Sequence, residues 1–348
     1  MGEASAPRIL MIGPLPPPVG GTTVLFDRLA RALERRDDVS VEVVPTTGVR
    51  GRGPGTMARL MRRLVEAIGR AHIATLHVST SALHVLGPTA AFFARRARVP
   101  LIVRKFGGTD FADYAALRRG AILRALRASD LYLAETKSLV DAARRLGLQD
   151  VEWFPNSRPM PELPPEPRDP RPCRRFVFLG EVRGGKGIGE LIDAGDTLGG
   201  GIAVDVYGPL GFDVEESAFR GAVRYRGVVD PEEIHEMLLG YDALVLPSYH
   251  PGEGYPGAVL EAFAAGLPVV CTRWRALPEL VGASCGLLVE PRDAEGLAGA
   301  INLLAGDGAL CARLRRGVRE RRLEFSDERW HERFVGYCRE VLTARAGG

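Results

Sequence analysis

The chain has 348 residues, 46% hydrophobic and 26% charged, with a net charge of +3. This is more than one core usually organises, so two domains are expected, and the composition excludes extended disorder. No run of eighteen apolar residues occurs and no basic-then-apolar leader opens the chain, so neither a spanning helix nor export is expected.

Residues 8–12, RILMI, read as a buried parallel strand ending at Gly13. A Pro/Gly loop over 14–21 follows, with Thr22-Thr23 as the expected N-cap of a helix carrying Leu25, Leu29, Ala32 and Leu33 on one face. Runs at 39–44, 73–78, 101–103 and 131–134 read as further strands with helical segments between them, which predicts a doubly wound first domain over 1–155. Residues 156–175 are proline-rich; proline fixes φ and removes amide donors, so this stretch is expected to be an irregular linker. Strand-like runs resume at 176–179, 202–207, 225–229, 243–246 and 268–271, predicting a second α/β domain over 176–325. A final helix within 326–348 carries Trp330, Phe334, Tyr337 and Val341 as a packing stripe and is expected to return to the first domain. Two such domains predict a cleft, with ligands beyond the carboxyl ends of the strands.

Five cysteines, at 173, 271, 285, 311 and 338, form no CxxC pair and have no histidine at zinc spacing. Neither a disulfide framework nor a metal site is indicated, and a reducing cytoplasm is expected. Charge is uneven: residues 1–150 carry 23 Lys/Arg against 13 Asp/Glu, whereas the remainder is net acidic. A basic half attracts anionic lipid or phosphorylated ligands; nucleic-acid binding would rest on charge alone and is not expected. Arginine-rich segments at 58–70, 95–98 and 118–127 suggest peripheral contact with an anionic membrane, the first alternating Leu60, Met61, Leu64, Val65 and Ile68 with arginines as an interfacial helix does. Packing of that helix into its own core explains the pattern equally well.

The most informative segment is 246–270, LPSYHPGEGYPGAVLEAFAAGLPVV, which reads as strand, loop, helix, turn and strand. Pro256 suits a first helical turn, Gly254 and Gly257 allow close backbone approach, and a helix N-terminus with unpaired amides suits a diphosphate. Glu253 lies in the loop and Glu261 on the helix. Upstream, FLGEVRGGKGI at 178–188 follows a strand directly.

Two glutamates separated by seven residues and followed by AFAAGLPV resemble the signature of glycosyltransferase family 4, and 178–188 is similar to that family's strand-Gly-Arg-x4-Lys-Gly motif. The resemblance implies a GT-B fold, two doubly wound Rossmann-like domains, and a retaining, metal-independent transferase that takes a sugar from a nucleoside-diphosphate sugar. It implies that Glu253 contacts the donor sugar, that Glu261 takes the ribose hydroxyls, and that Lys186 neutralises the diphosphate. Glu181 stands where the family has arginine, and Arg183 is the candidate replacement. Gly20, Gly21, Gly180, Gly227, Gly254, Tyr255, Gly257, Ala258 and Val259 complete the implied donor contacts. Phe106 stands where many relatives carry histidine, which leaves Lys105, Thr109 and Asp110 as acceptor-side candidates; Asp110 is equally suited to cap the next helix. No cofactor is implied beyond the donor. The implied acceptor is a saccharide or a lipid-linked one, reached from the cytoplasmic side. The competing readings are a GT-B-like sugar-nucleotide epimerase and an inert sugar-nucleotide-binding protein, the latter motivated by Glu181 and Phe106.

Overall fold

Strands of β-branched and large aliphatic residues, flanked by amphipathic helices, build two separate parallel sheets in a computed structural model that describes residues 6–18, 20–47, 54–165 and 170–347. Val19 of the first glycine loop and 166–169 of the proline-rich segment lie outside the described residues. The chain divides into two units, Met1–Asn156 with Asp327–Gly348, and Ser157–Ser326.

In the first unit the strands are β1 Arg8–Gly13, β2 Ser40–Pro45, β3 Ile73–Ser79, β4 Leu101–Phe106, β5 Leu131–Ala134 and β6 Val151–Trp153. They pair in parallel in the order β2-β1-β3-β4-β5-β6. The helices are α1 Gly21–Glu34, α2 Pro54–Arg70, α3 Thr80–Ala97, α4 Ala116–Arg127 and α5 Lys137–Arg145. Alternation along β1 feeds two cores: Leu10 and Ile12 meet residues of α2, α3, α4 and α5 on one face, while Ile9 and Met11 meet α1 on the other. Leu60, Leu64 and Ile68 repeat every four residues and lie in the first of these cores, so the apolar stripe of α2 is internal rather than interfacial.

The second unit holds β7 Arg175–Leu179, α6 Ile188–Gly195, β8 Ala203–Tyr207, β9 Val223–Gly227, α7 Ile234–Leu239, β10 Ala243–Leu246, α8 Gly257–Ala264, β11 Val269–Thr272, α9 Leu277–Leu280, β12 Gly286–Val289, α10 Ala294–Gly306 and α11 Gly308–Arg321. Its parallel order is β12-β11-β10-β7-β8-β9. The final helix, α12 Asp327–Ala346, belongs to the first unit, where Trp330 and Phe334 pack edge-on or tilted against Phe154. Burying a side chain such as Phe334 contributes about 2 kcal/mol.

The proline-rich stretch is not a free tether where it is described. Pro161 and Pro164 offer their carbonyls to Arg322 and Arg319, Cys173 is buried, and Arg158 forms an isolated bridge with Ser326. Two strands escaped the sequence patterns. β6 is three residues long with Glu152 at its centre, and β12 opens on a glycine.

Candidate functional site

In the second sheet, connections run one way from β7 to β8 and β9, and the other way from β10 to β11 and β12. The strand order therefore reverses between β7 and β10, and the loops leaving their carboxyl ends diverge there, as at the switch point of any doubly wound sheet. Lys186 follows β7 and Glu253 follows β10.

Those two loops are held together by close backbone contact. Gly187 has φ +78°, and a Cβ there would sit 2.2 Å from the Pro247 carbonyl oxygen, so only glycine lets the loops meet. The Tyr249 amide also donates to the Gly185 carbonyl at 3.1 Å. This approach brings the Lys186 ammonium to 3.1 and 2.8 Å from the two Glu253 carboxylate oxygens. Glu253 further accepts from the Ser248 hydroxyl. The lysine side chain is 17% exposed and the glutamate 6%, a nearly enclosed pair in which removing one charge strands the other.

Glu181 is ion-paired within its own loop. It is half exposed and sits 3.1 Å from the Arg183 guanidinium, which lies on the entry to a short 3-10 turn over Gly184–Lys186. His250, which sequence reasoning passed over, stands among these groups. Burial, then the charges of Arg183 and Lys186, pushes its imidazole below the ordinary range.

On α8 the close approach at Gly257 is made from within the protein. The group that approaches it is a side chain of the same unit: a Cβ at Gly257 would meet the Arg158 guanidinium at 2.5 Å. Glu261, one turn along the same helix face, is ion-paired with Arg158. Arg158 is buried and also donates to the Ser157 carbonyl at 2.8 Å. Its cation stands at the positive end of the α8 dipole, an arrangement unfavourable unless an anion lies nearby. At the other end of the helix Arg322 donates to the Ala264 carbonyl, where a cation is favoured. Sequence reasoning missed Arg158 because it lies in the proline-rich stretch, 103 residues from its partner.

Other predicted donor contacts divide. Ala258 is half-buried in the first turn of α8, whereas Val259 is fully buried and its amide donates to the Pro256 carbonyl, so Val259 is a core residue. Pro256 itself is the N-cap, one position ahead of the helix. Gly254 and Tyr255 are buried, with the Tyr255 ring edge-on to Phe325. The Gly180 amide already donates to the Tyr207 carbonyl, and Gly227, φ +85°, accepts from the Gly208 amide. In the first unit Gly20, rather than Thr22 or Thr23, caps α1. The Thr23 hydroxyl accepts from the Gly20 amide at 2.9 Å, which removes that amide as a phosphate donor, while Gly21 is exposed at the helix start.

Of the acceptor-side candidates Lys105 is buried, whereas Thr109 and Asp110 are partly exposed. Lys105 is 1% exposed and donates to the carbonyls of Gly107 at 2.8 Å and Thr109 at 3.3 Å; Glu135, also buried, accepts from the Gly107 amide at 2.6 Å. Lys105 thus shapes the loop after β4 instead of projecting from it. Burial lowers its pKa to about 8 despite the opposing charges of Glu135 and Asp110. The Asp110 carboxylate accepts from the Ala112 amide and caps a short 3-10 turn. His77 is buried among Phe26, Phe106 and Phe334, and desolvation holds it neutral. Among the described residues no three His, Cys, Asp or Glu side chains gather as a metal ion requires.

Residues 173–307 match the family described as Glycosyl transferases group 1. The chain is 28% identical over 62% of its length to TuaC, a candidate teichuronic acid biosynthesis glycosyltransferase of Bacillus subtilis (strain 168). It is 27% identical over 72% of its length to a glycogen synthase of Mycobacterium tuberculosis. It spans 57% and 64% of these two relatives, less than two thirds of either. Among solved structures, Anabaena Alr3699/HepE in complex with UDP aligns over 96% of this chain and 100% of its own, with a TM-score of 0.76 at 17% identity. A sucrose-phosphate synthase of Thermosynechococcus elongatus aligns over 97% and 100%, with a TM-score of 0.72 at 16% identity. The fold is the two-domain α/β GT-B fold.

Proposed function

We propose that the chain is a glycosyltransferase of glycan or polysaccharide biosynthesis, moving a sugar from a nucleoside-diphosphate sugar to an acceptor hydroxyl. The observation that carries this reading is the enclosed Lys186–Glu253 pair on the loops at the β7/β10 switch point, together with the enclosed Arg158–Glu261 pair, whose glutamate lies on α8 after β10. An ionised carboxylate accepts strong hydrogen bonds from sugar hydroxyls, and an ammonium or guanidinium favours a departing diphosphate. A solved neighbour of this fold holds UDP-glucose, and relatives include a glycogen synthase, which supports a donor of that chemical class.

In the finer reading, the protein is a family 4 enzyme that retains anomeric configuration and needs no metal. The acceptor hydroxyl attacks C1 from the face the diphosphate leaves. The C1–oxygen bond to the phosphate breaks with its electron pair staying on the phosphate, the new C1–oxygen bond forms, and the acceptor proton passes to the leaving phosphate. Lys186 and Arg183 stabilise the growing negative charge, Glu253 holds sugar hydroxyls, and the Glu261 oxygen not engaged by Arg158 accepts from the ribose. A hexose donor and a saccharide or lipid-linked acceptor fit this arrangement.

Thermal shift against a panel of nucleoside diphosphates and their sugars, followed by NMR of products with saccharide acceptors, tests the reading. A stabilising donor and an α-linked product from an α-linked donor are expected. Donor binding without turnover across the panel would favour an inert binding protein, and a stereochemically altered free sugar nucleotide would favour an epimerase.

A further inference from the structure

The structure leaves one apolar and basic surface without an internal partner. On α3, Val85 and Phe92 are 52% and 65% exposed, and at the start of α4 Leu117 is 85% exposed. Val85 and Phe92 are two helical turns apart and share a face, as do Leu117 and Arg124 on α4. Phe92 and Arg124 line one groove together with Pro88, Arg95 and Arg96, so the two helix faces join. Single exposed apolar residues are ordinary, but three of them on two adjoining helix faces mark an interaction surface.

Its charge is of one sign. Neither α3 nor α4 contains Asp or Glu, whereas they carry Arg95, Arg96, Arg118, Arg119, Arg124 and Arg127. Both helices run from the carboxyl ends of their preceding strands, so Val85 and Leu117 lie toward one end of the face, and Arg95, Arg96 and Arg127 toward the other.

We propose that the α3–α4 face of the first unit docks on an anionic lipid bilayer. Phenylalanine and leucine tips enter the headgroup–acyl boundary while arginines, their stems lying along apolar surface, reach lipid phosphates. A nucleic acid would engage the arginines but gives no reason for exposed Val85 and Leu117. Docking rather than spanning also suits the helices: among the described residues no single helix is long and apolar enough to cross a membrane. The face adjoins the acceptor-side loop, because the Tyr114 hydroxyl bonds both the Thr80 hydroxyl at the start of α3, at 3.0 Å, and the Thr109 carbonyl, at 3.3 Å. A bilayer on this face therefore brings lipid headgroups beside Thr109 and Asp110. The proposal stands on exposure and charge and does not depend on the transferase reading.

The test is flotation of the full chain with phosphatidylcholine vesicles and with vesicles in which about a third of the lipid is phosphatidylglycerol. Binding to the anionic vesicles only, weakening as salt rises, is expected. Two variants separate the contributions: Phe92→Ser with Leu117→Ser removes the apolar tips, and Arg96→Glu with Arg124→Glu reverses the charge. Each is expected to weaken binding by about tenfold or more. Phe212→Ser, at a fully exposed position in the second unit, is the control and should leave binding unchanged. No flotation with either vesicle would overturn the proposal. Equal binding by wild type and both variants would overturn it too, as would a concentration-dependent dimer abolished by Phe92→Ser with Leu117→Ser in place of vesicle binding.

Discussion

Each unit places a lysine and a glutamate toward the carboxyl ends of two neighbouring central strands, β4 and β5 or β7 and β10, but the two pairs are used differently. In the first unit Lys105 and Glu135 each hold backbone of the loop after β4, the lysine through the Gly107 and Thr109 carbonyls and the glutamate through the Gly107 amide. In the second, Lys186 and Glu253 bind each other, and their backbones are positioned by the Gly187–Pro247 contact. The difference teaches that a charged residue beside a parallel strand is available for chemistry only where the backbone has other means of satisfying its own polar groups.

That contrast breaks first at Lys186. Lys186→Ala is expected to lower kcat by about a thousandfold, roughly 4 kcal/mol of transition-state stabilisation, alongside a loss of stability because Glu253 is left without its cation. An unchanged kcat with an active preparation would return Lys186 to the status of Lys105.

The converse variant, Lys105→Met, should act on stability. Two part-buried carbonyls lose their donor, a cost of about 1–3 kcal/mol by urea denaturation. The cost also has a pH signature. Burial has lowered Lys105 to about 8 from its ordinary 10.5, so between those values the unfolded chain binds more protons than the folded one. Stability from this group then rises as pH climbs from about 8 toward 10.5 and is flat below 8. Wild type should show that rise and Lys105→Met should lack it; parallel pH profiles for the two proteins would contradict the buried, loop-holding role.

Glu261→Gln keeps the shape of α8 but weakens the bond to Arg158 and to any ribose hydroxyl. Nucleotide affinity measured calorimetrically should fall about tenfold, near 1.4 kcal/mol, with kcat at saturating donor reduced much less. Full donor affinity and turnover in this variant would remove Glu261 from the donor site.

The smallest effect is expected at Asp110. As the cap of a short turn, Asp110→Ala should cost about 1 kcal/mol in thermal unfolding and leave acceptor KM unchanged. A large rise in acceptor KM would restore it as a substrate contact.

Much of the architecture was legible in order. Buried parallel strands are continuous apolar runs, and those at 8–12, 73–78, 131–134 and 243–246 fall in β1, β3, β5 and β10. The stretches that escaped, β6 and β12, owe their pairing to neighbouring strands rather than to their own composition. At the site, the Glu253, Glu261 and Lys186 positions were legible from motif and spacing. Arg158 was not, because an arginine among prolines carries no periodic signal. The arginine pattern of α2 pointed to a surface and the fold turned its apolar stripe inward, while Phe92 and Leu117, unremarkable in sequence, were left outside.

The sequence by itself determined which residues lie on the strand-end loops and helix starts, because periodicity and glycine or proline punctuation are local properties. Tertiary structure alone decided which of those charges are turned inward to hold backbone and which face one another. Burial and partner choice depend on segments as far apart as Arg158 and Glu261, and no local pattern records such a contact.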